Sequence, residues 1–189
     1  ECEILSRFTW KGNEFNVRTV CHPAQDMISA HIDSHLHTGI KFHFPYPTGI
    51  HTDNACDWDA NDKHSTEVLK QDTQSAVLKR TLDSTVYYVE LKWEGKALLK
   101  EKEKNYFVLL PQEDAFSFSC AFTANEPDQL TVLPDFFEVE SLAKNHWVNF
   151  WEEGAAVDFS HCTDPRAKEL ERRVVLSQYL LAIQCAGST

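Results

Sequence analysis

The sequence lacks the features that mark several common classes of protein. No apolar run approaches the roughly 20 residues that a helix needs to cross a membrane. No basic run is longer than the alternating segment KEKEK (100–104), and the 189 residues carry a net charge of −11 at pH 7. Nucleic-acid-binding proteins neutralise backbone phosphates with clustered basic residues. We therefore expect neither nucleic acid nor a membrane as a partner.

Closely paired cysteines are also absent. The six cysteines lie at positions 2, 21, 56, 120, 162 and 185, with no CxxC motif. A zinc knuckle needs such pairs, so we expect no metal site based on cysteine. We expect most of the thiols to be free, with an isolated disulfide as the alternative. Cys21 and Cys120 fall within apolar strand patterns, where buried thiols are common.

The first two thirds of the chain show regular alternation and many aromatic side chains, and the whole chain has twelve Phe, five Trp and five Tyr. Phe15, Val17, Thr19 and Cys21 recur at every second residue, as in a half-buried strand. Strands are predicted at 15–21, 28–32, 40–44, 66–70, 75–82, 85–93, 96–100, 105–110 and 115–123. Many short antiparallel strands separated by turns are typical of a two-sheet sandwich or a barrel.

Two helices are predicted in the last third of the chain. In VESLAKNHWVNFWEEG (139–154) apolar residues recur at helical spacing, and Gly154 is placed to end the helix. A second helix is predicted to begin at Asp164, because Asp at the N-cap followed by Pro is a strong start signal. From Val174 to Ile183 this helix is apolar in nearly all directions, so more than one side should be covered. Either its far side forms a dimer contact, or it is the first helix of a further helical domain.

The segment WVNFWEEGAAVDFSHCTDPRAKELERRVVLSQYLLAIQCAGS (147–188) resembles a junction in bacterial glycoside hydrolases of the six-hairpin glycosidase superfamily. ELERRVVLSQYL is the most specific part of the match. FPYPTGIHTDNACDW (44–58) is similar to a segment of the family's N-terminal domain. In that family an N-terminal β-sandwich is joined through a linker helix to a catalytic (α/α)6 barrel.

The resemblance implies a mainly β fold: a two-sheet antiparallel β-sandwich of the supersandwich type followed by two C-terminal helices. It divides the chain into a sandwich domain (1–138), a linker helix with an extended segment (139–163), and the first helix of a truncated helical barrel (164–189). The family's catalytic carboxylates lie in the barrel, so no catalytic residue is assigned here. We expect the chain alone to be inactive although its parent is a hydrolase. The chain begins at Glu1 without Met, so we expect that a preceding segment was removed, either by a signal peptidase or by the choice of where this chain starts. We expect a periplasmic or extracellular location.

The predicted partner is therefore the helical barrel of the same polypeptide. The side chains expected at that interface are aromatic and aliphatic residues of both helices: Trp147, Phe150, Trp151, Val174, Leu176, Tyr179, Leu180 and Ile183. If the natural chain ends at Thr189, the alternative is self-association through the same helix surface.

The polar segment 51–64 is the most site-like part of the chain, since a loop of this length is uncommon unless it has a function. Sugars are recognised by aromatic stacking together with a few polar groups that fix orientation. The residues expected to contact carbohydrate in the substrate cleft are Trp58, His51, Asp53, Asp57 and His64. The alternative is that Trp58 only anchors the loop to the sandwich.

Calcium is the one cofactor that this loop suggests. Asp57, Asp59 and Asn61 imitate the start of an EF-hand loop, but Asp62 stands where glycine is needed and Val68 where the last acidic ligand belongs. The EF-hand is therefore rejected. A generic calcium site is the alternative to a solvated loop, and we expect no cofactor.

Three histidines, His31, His35 and His37, would lie on one face of a continuous strand and could suggest zinc. Asp33-Ser34 is predicted as a turn, and no carboxylate lies at a matching spacing. A polar outer strand face is therefore the preferred interpretation. Ser84 lies in a predicted turn without a GxSxG motif, so Ser/His/Asp catalysis is also rejected.

Two functions follow from these patterns. The main prediction is a non-catalytic N-terminal domain of a carbohydrate-active glycoside hydrolase, which supports the barrel and lends loop 51–64 to its substrate cleft. It implies an exposed apolar patch around 174–183. The alternative is a self-contained carbohydrate-binding module, which implies an exposed aromatic platform on the sandwich.

Overall fold

The computed structural model describes residues 2–52, 54–127, 132–154 and 156–185. Within these residues the chain forms twelve strands followed by two helices. The strands are β1 (Glu3–Trp10), β2 (Asn13–Cys21), β3 (Met27–Asp33), β4 (Ile40–His43), β5 (Tyr46–Pro47), β6 (Cys56–Asp57), β7 (His64–Gln71), β8 (Ser75–Leu82), β9 (Thr85–Glu94), β10 (Ala97–Glu103), β11 (Tyr106–Pro111) and β12 (Ala115–Thr123). The helices are α1 (Phe136–Glu153) and α2 (Ala167–Gln184).

The described strands pair into one large sheet and two smaller ones. The large sheet has seven strands in the order β1-β2-β3-β12-β9-β8-β7, with every neighbouring pair antiparallel. A three-stranded sheet has the order β10-β11-β4, and β5 pairs with β6 alone. The predicted mainly β fold, with antiparallel sheets in a sandwich-like arrangement and two C-terminal helices, is confirmed.

The main core lies between the seven-stranded and the three-stranded sheet. Alternate residues of β8, β9 and β12 face alternate residues of β10 and β11. The largest of them is Trp93, which is fully buried and donates its indole N–H to the carbonyl of Thr73 at 3.1 Å. Burying each side chain of this size contributes roughly 1.5–3 kcal/mol. This core fixes which face of every central strand points outward.

Helix α1 covers the opposite face of the seven-stranded sheet. Its residues Phe136 and Val139 pack with Val20 and Met27 of the sheet in a second apolar cluster. The helix begins at a capping box, in which the Asp135 carboxylate accepts the N–H of Glu138 and the Glu138 carboxylate accepts the N–H of Asp135. The chain thus has three layers, with the large sheet in the middle.

Several boundaries differ from the predictions. Strand β1 was not predicted, because its apolar residues do not alternate strictly; it is fixed by a two-residue turn in which Lys11 and Gly12 both have positive φ (50° and 75°). Helix α1 begins three residues earlier than the helical pattern from residue 139, since Asp135 supplies the cap.

The predicted start of the last helix at Asp164 is wrong. The N-cap is Arg166, and α2 begins at Ala167. The Asp164 carboxylate accepts the backbone N–H of Arg166 at 2.8 Å and also pairs with the Arg166 guanidinium. This local pairing closes a turn before the helix starts.

Candidate functional site

The predicted loop 51–64 is organised by short-range hydrogen bonds. Strand β5, which precedes the loop, pairs with β6 inside it, and Thr48 donates its N–H to the carbonyl of Ala55 at 3.1 Å. The Asp57 carboxylate accepts the N–H of Asp59 at 3.0 Å, and Lys63 donates its N–H to the carbonyl of Ala60 at 3.1 Å. The loop is therefore a small hairpin followed by turns.

Trp58 projects from this loop onto the outer face of the three-stranded sheet. Its side chain is 50% exposed, and its ring centroid lies 4.7 Å from that of His43 on β4. His43 is in turn 5.1 Å from Tyr106, its direct partner across β4 and β11. These three rings, called here the Trp58 platform, offer a surface on which a flat apolar face of a ligand could stack.

The other residues predicted to bind carbohydrate are placed differently. His51 is exposed, Asp57 is half-buried at the cap of its own turn, and Asp53 lies outside the described residues. His64 is only 5% exposed and makes its polar contacts inside the sandwich. The structure therefore brings Trp58 beside His43 and Tyr106, which sequence reasoning missed, and places His64 out of reach of a surface ligand.

His64 belongs to a buried polar network around Arg80, which the sequence analysis did not identify. Arg80 is 1% exposed and donates from Nη1 to Thr66 Oγ1 at 2.7 Å and to His64 Nδ1 at 2.9 Å. It also donates to Asn105 Oδ1 at 3.3 Å, and its guanidinium lies over the ring of Phe44, 4.8 Å from the centroid. One feature of the sequence could have indicated this network: Arg80 is a basic residue at a strand position that the alternation pattern assigns to the core.

The network determines the state of His64. A guanidinium can only donate, so His64 Nδ1 must accept this hydrogen bond, which requires an imidazole without a proton on that nitrogen. Burial, together with the positive charge of Arg80, lowers the pKa of His64 below its ordinary value. His64 is therefore neutral in the folded protein at pH 7.

The three histidines considered for zinc do not act together. His31 is bonded to Ser117 Oγ at 2.8 Å, whereas His35 and His37 each lie 2.7 Å from one oxygen of Asp114. Asp114 lies in the turn after β11, 77 residues from His37 in the sequence, so the sequence did not predict this contact. These two contacts lower the pKa of the Asp114 carboxyl. In the described part of the chain, no group of three or more His, Cys, Asp or Glu is arranged to hold a metal ion.

A second exposed aromatic surface lies at β1, the edge strand of the seven-stranded sheet. Phe8 and Trp10 of β1 are about half exposed and line a cavity of about 390 Å³, which is closed on other sides by residues that include His37, Lys41 and Asp114. Phe8 is stacked on the buried Phe15 with ring centroids 5.1 Å apart. The cavity is within the size range of small-ligand sites.

Four of the eight residues predicted to form a domain interface lie together in one aromatic cluster. Trp147 of α1 contacts Phe150, Trp151 and Tyr179, with centroid distances of 5.3, 6.3 and 5.3 Å respectively. Val174 is half-buried, whereas Leu176, Leu180 and Ile183 are exposed by 42, 44 and 39%.

Helix α2 is poorly covered along its whole described length. Its one buried residue is Ala167, and Leu170 and Leu181 are exposed by 52 and 67%. The exposed side chains of the helix that we call the α2 face are Leu170, Leu176, Leu180, Leu181 and Ile183. Apolar side chains at this density on an isolated helix mark a surface that is normally covered.

All six cysteines are described, and all are free thiols, of which only Cys120 is buried. The expected burial of Cys21 is wrong, because this last residue of β2 is exposed. Neither described helix combines the length and the hydropathy that a membrane-spanning helix needs.

Comparison with known proteins yields no relatives: no protein-family model matches the chain, and no curated protein is significantly similar to it.

Proposed function

We propose that this chain is a non-catalytic domain of a carbohydrate-active glycoside hydrolase, and that its α2 face packs against the helical catalytic domain of the same polypeptide. The observation that carries the proposal is the exposure of the α2 face, in which Leu180 is 44% and Leu181 67% exposed. The resemblance of residues 147–188 to the junction of six-hairpin glycosidases supplies the class of the partner.

The contacts of α2 support a docking role. The contacts that join α2 to the rest of the fold include Tyr179 against Trp147 and a hydrogen bond from the N–H of Phe159 to the Glu171 carboxylate at 2.6 Å. A helix with so few buried side chains gains little stability from its own domain. Packing against a helical partner would cover the exposed leucines and supply what is missing.

The test compares Leu180→Lys with Leu98→Lys in the natural polypeptide that contains this chain. The two leucines are exposed to the same extent, 44 and 43%, but Leu98 lies on β10, in the sheet on the far side of the sandwich from α1. Leu180→Lys should lower the thermal midpoint and the glycosidase activity of that polypeptide, because a charge would be buried at the interface. Leu98→Lys should leave both unchanged.

The isolated chain provides the complementary measurement. It should hydrolyse none of a panel of aryl glycosides, and Leu180→Lys should change its free energy of unfolding by no more than about 0.5 kcal/mol, as for other exposed substitutions. Turnover by these 189 residues would contradict a non-catalytic role. Equal effects of the two lysine variants in the natural polypeptide would contradict docking through α2.

A second candidate function is a self-contained carbohydrate-binding module. It is favoured by the two exposed aromatic surfaces, the Trp58 platform and the cavity beside Trp10. Titration of the isolated chain with soluble oligosaccharides, followed by tryptophan fluorescence, tests this function. If a sugar binds, Trp58→Ala and Trp10→Ala identify the surface, since loss of a stacking ring should weaken binding about tenfold. Absence of sugar binding by the isolated chain would contradict the carbohydrate-binding module and favour the docking function.

A further inference from the structure

A buried carboxylate without a partner lies on the outer face of the seven-stranded sheet. Glu90 of β9 is 9% exposed, and its Oε2 is fully buried and accepts no hydrogen bond from the described residues. Its strand neighbours Val89 and Leu91 both belong to the inner core, so alternation places the Glu90 side chain on the opposite face. Ala121 is its direct partner across β12 and lies on that same outer face.

The nearest polar side chains on this face of β9 are already engaged. Tyr88 donates its hydroxyl to the Glu126 carboxylate at 3.1 Å, and Lys92 donates Nζ to the carbonyl of Leu133 at 2.5 Å. Neither makes a hydrogen bond to Glu90. A buried carboxylate that lacks both a hydrogen bond and a countercharge is costly, and such groups are normally paired, protonated or bound to a ligand.

Glu90 lines a cavity of about 730 Å³, which is within the range of small-molecule sites. The cavity lies between the turn that joins β2 to β3, the paired strands β9 and β12, and the segment 132–134. The described lining is mostly apolar and includes Pro23, Met27 and Leu133.

The charged side chains among the described lining residues all carry the same sign. The described lining includes the acidic side chains of Asp26 and Glu90 and no Lys or Arg. His22 is the one further titratable base, and burial lowers its pKa, so it carries no positive charge at pH 7. A positively charged group that entered this cavity would meet a buried carboxylate and no competing cation.

We propose that this cavity binds a small organic cation, a primary ammonium group on an apolar body, with the ammonium donating to the Glu90 carboxylate. The apolar walls suit the body of such a ligand, and the carboxylate of Glu90, a lining residue, supplies the acceptor that an ammonium requires. A bare divalent cation fits less well: calcium takes six to eight oxygen ligands, and the described residues hold no metal-binding cluster. The site is separate from the α2 face and from the Trp58 platform, so it stands or falls independently of the proposed function.

The experiment titrates the isotope-labelled chain with cyclohexylammonium and with its neutral counterpart cyclohexanol, at pH 7.5 and 0.15 M salt, and follows amide chemical shifts. Cyclohexylammonium should shift the amides of Met27, Glu90 and Ala121, and cyclohexanol should bind at least about tenfold more weakly, since it lacks the charge. Glu90→Gln keeps the shape of the side chain and should weaken binding of the ammonium by about tenfold or more.

Glu113→Gln is the matched control, because Glu113 is an exposed glutamate outside this cavity and its loss should leave the affinity unchanged. An unchanged thermal midpoint of Glu90→Gln shows that the cavity is intact when binding is compared. The proposal is overturned by absence of binding, by equal affinity for cyclohexanol, or by equal affinity of Glu90→Gln. Saturable shifts of the same amides by Ca²⁺ alone, with none from the ammonium, would also overturn it.

Discussion

The ring of Trp147 on α1 lies 5.3 Å from the ring of Tyr179 on α2, and this is one of the contacts that join the last helix to the rest of the fold. Trp147 is also in contact with Phe150 and Trp151, so one aromatic cluster at the end of α1 receives α2. Because α2 buries only Ala167 among its described residues, the orientation of its leucines depends heavily on this pair.

Replacing Tyr179 with Ala should release α2 while leaving the sheets intact. Aromatic pairs contribute about 0.5–1.5 kcal/mol beyond the area that they bury, a large share of what holds a poorly covered helix. Hydrogen exchange should accelerate throughout α2 and stay unchanged in β8 and β9. Tyr179→Phe keeps the ring and is the control. Equal protection of α2 in Tyr179→Ala and the parent chain would show that other contacts hold the helix.

The elements that could be predicted from sequence are those whose signal is local. The turn after β9 has Gly95 with φ of 82°, as WEGK indicates, and Phe116, Phe118 and Cys120 of β12 face the main core as their spacing predicts. The strand β1 was missed because Ile4 and Leu5 are adjacent and both exposed, so no alternation marks it. Its pairing is set by the turn at Lys11-Gly12 and by neighbours that only the folded sheet supplies.

The candidate sites likewise combine features that have a local sequence signal with features that depend on tertiary contacts. The exposure of Trp58 and of the leucines of α2 followed from local composition and periodicity. The pairing of Trp58 with His43 depends on two segments meeting on one face of the small sheet, and the contact of Asp114 with His37 spans 77 residues. Contacts of this kind cannot be predicted from a single sequence, because each of these residues is common on a polar strand face or in a turn.

Removal of the Arg80 side chain should be among the most damaging single substitutions in the sandwich. In Arg80→Met, Thr66 Oγ1 and His64 Nδ1 would lose the donor that they have inside the fold, whereas Asn105 Oδ1 would keep the hydrogen bond from the Thr66 hydroxyl. Each buried polar group left without its partner costs about 1–3 kcal/mol, so we expect a loss of several kcal/mol in the free energy of unfolding. Chemical denaturation measures it.

Lys79→Met is the control for this substitution. Lys79 precedes Arg80 on β8 but points to the other face of the sheet and is only half-buried, so its loss should change the free energy of unfolding by less than about 1 kcal/mol. Similar losses for Lys79→Met and Arg80→Met would mean that the hydrogen bonds of Arg80 do not carry its contribution.

Stability should fall as the pH is lowered below about 6.5, the ordinary pKa of histidine. The pKa values of His64 and His22 are lowered by burial in the fold, so between the unfolded and folded values the unfolded chain binds protons that the folded chain does not. Within that interval, each such group lowers the free energy of unfolding by up to about 1.4 kcal/mol for every pH unit of acidification. Above pH 7.5 the group has no effect on stability. Denaturation at pH 7.5 and 5.5 measures the slope.

The variant His64→Asn should reduce this slope, because an amide oxygen can accept from Arg80 in place of Nδ1 and does not titrate. His51→Asn removes an exposed histidine and should leave the slope as it is. A slope that is equally steep in His64→Asn and in the parent chain would exclude His64 as a source of the pH dependence.

The cysteines should differ in reactivity by position. Burial in the main core raises the pKa of the Cys120 thiol to about 12, whereas Cys162 and Cys185 are exposed. Because the thiolate is the reactive form, Cys120 should react at pH 8 roughly a thousandfold more slowly than an ordinary thiol from its thiolate population alone. Iodoacetamide treatment followed by peptide mass mapping should therefore find Cys162 and Cys185 modified and Cys120 unmodified. The same treatment in guanidinium chloride should modify all three, and labelling of Cys120 at the rate of Cys162 in the native chain would contradict its place between the two sheets.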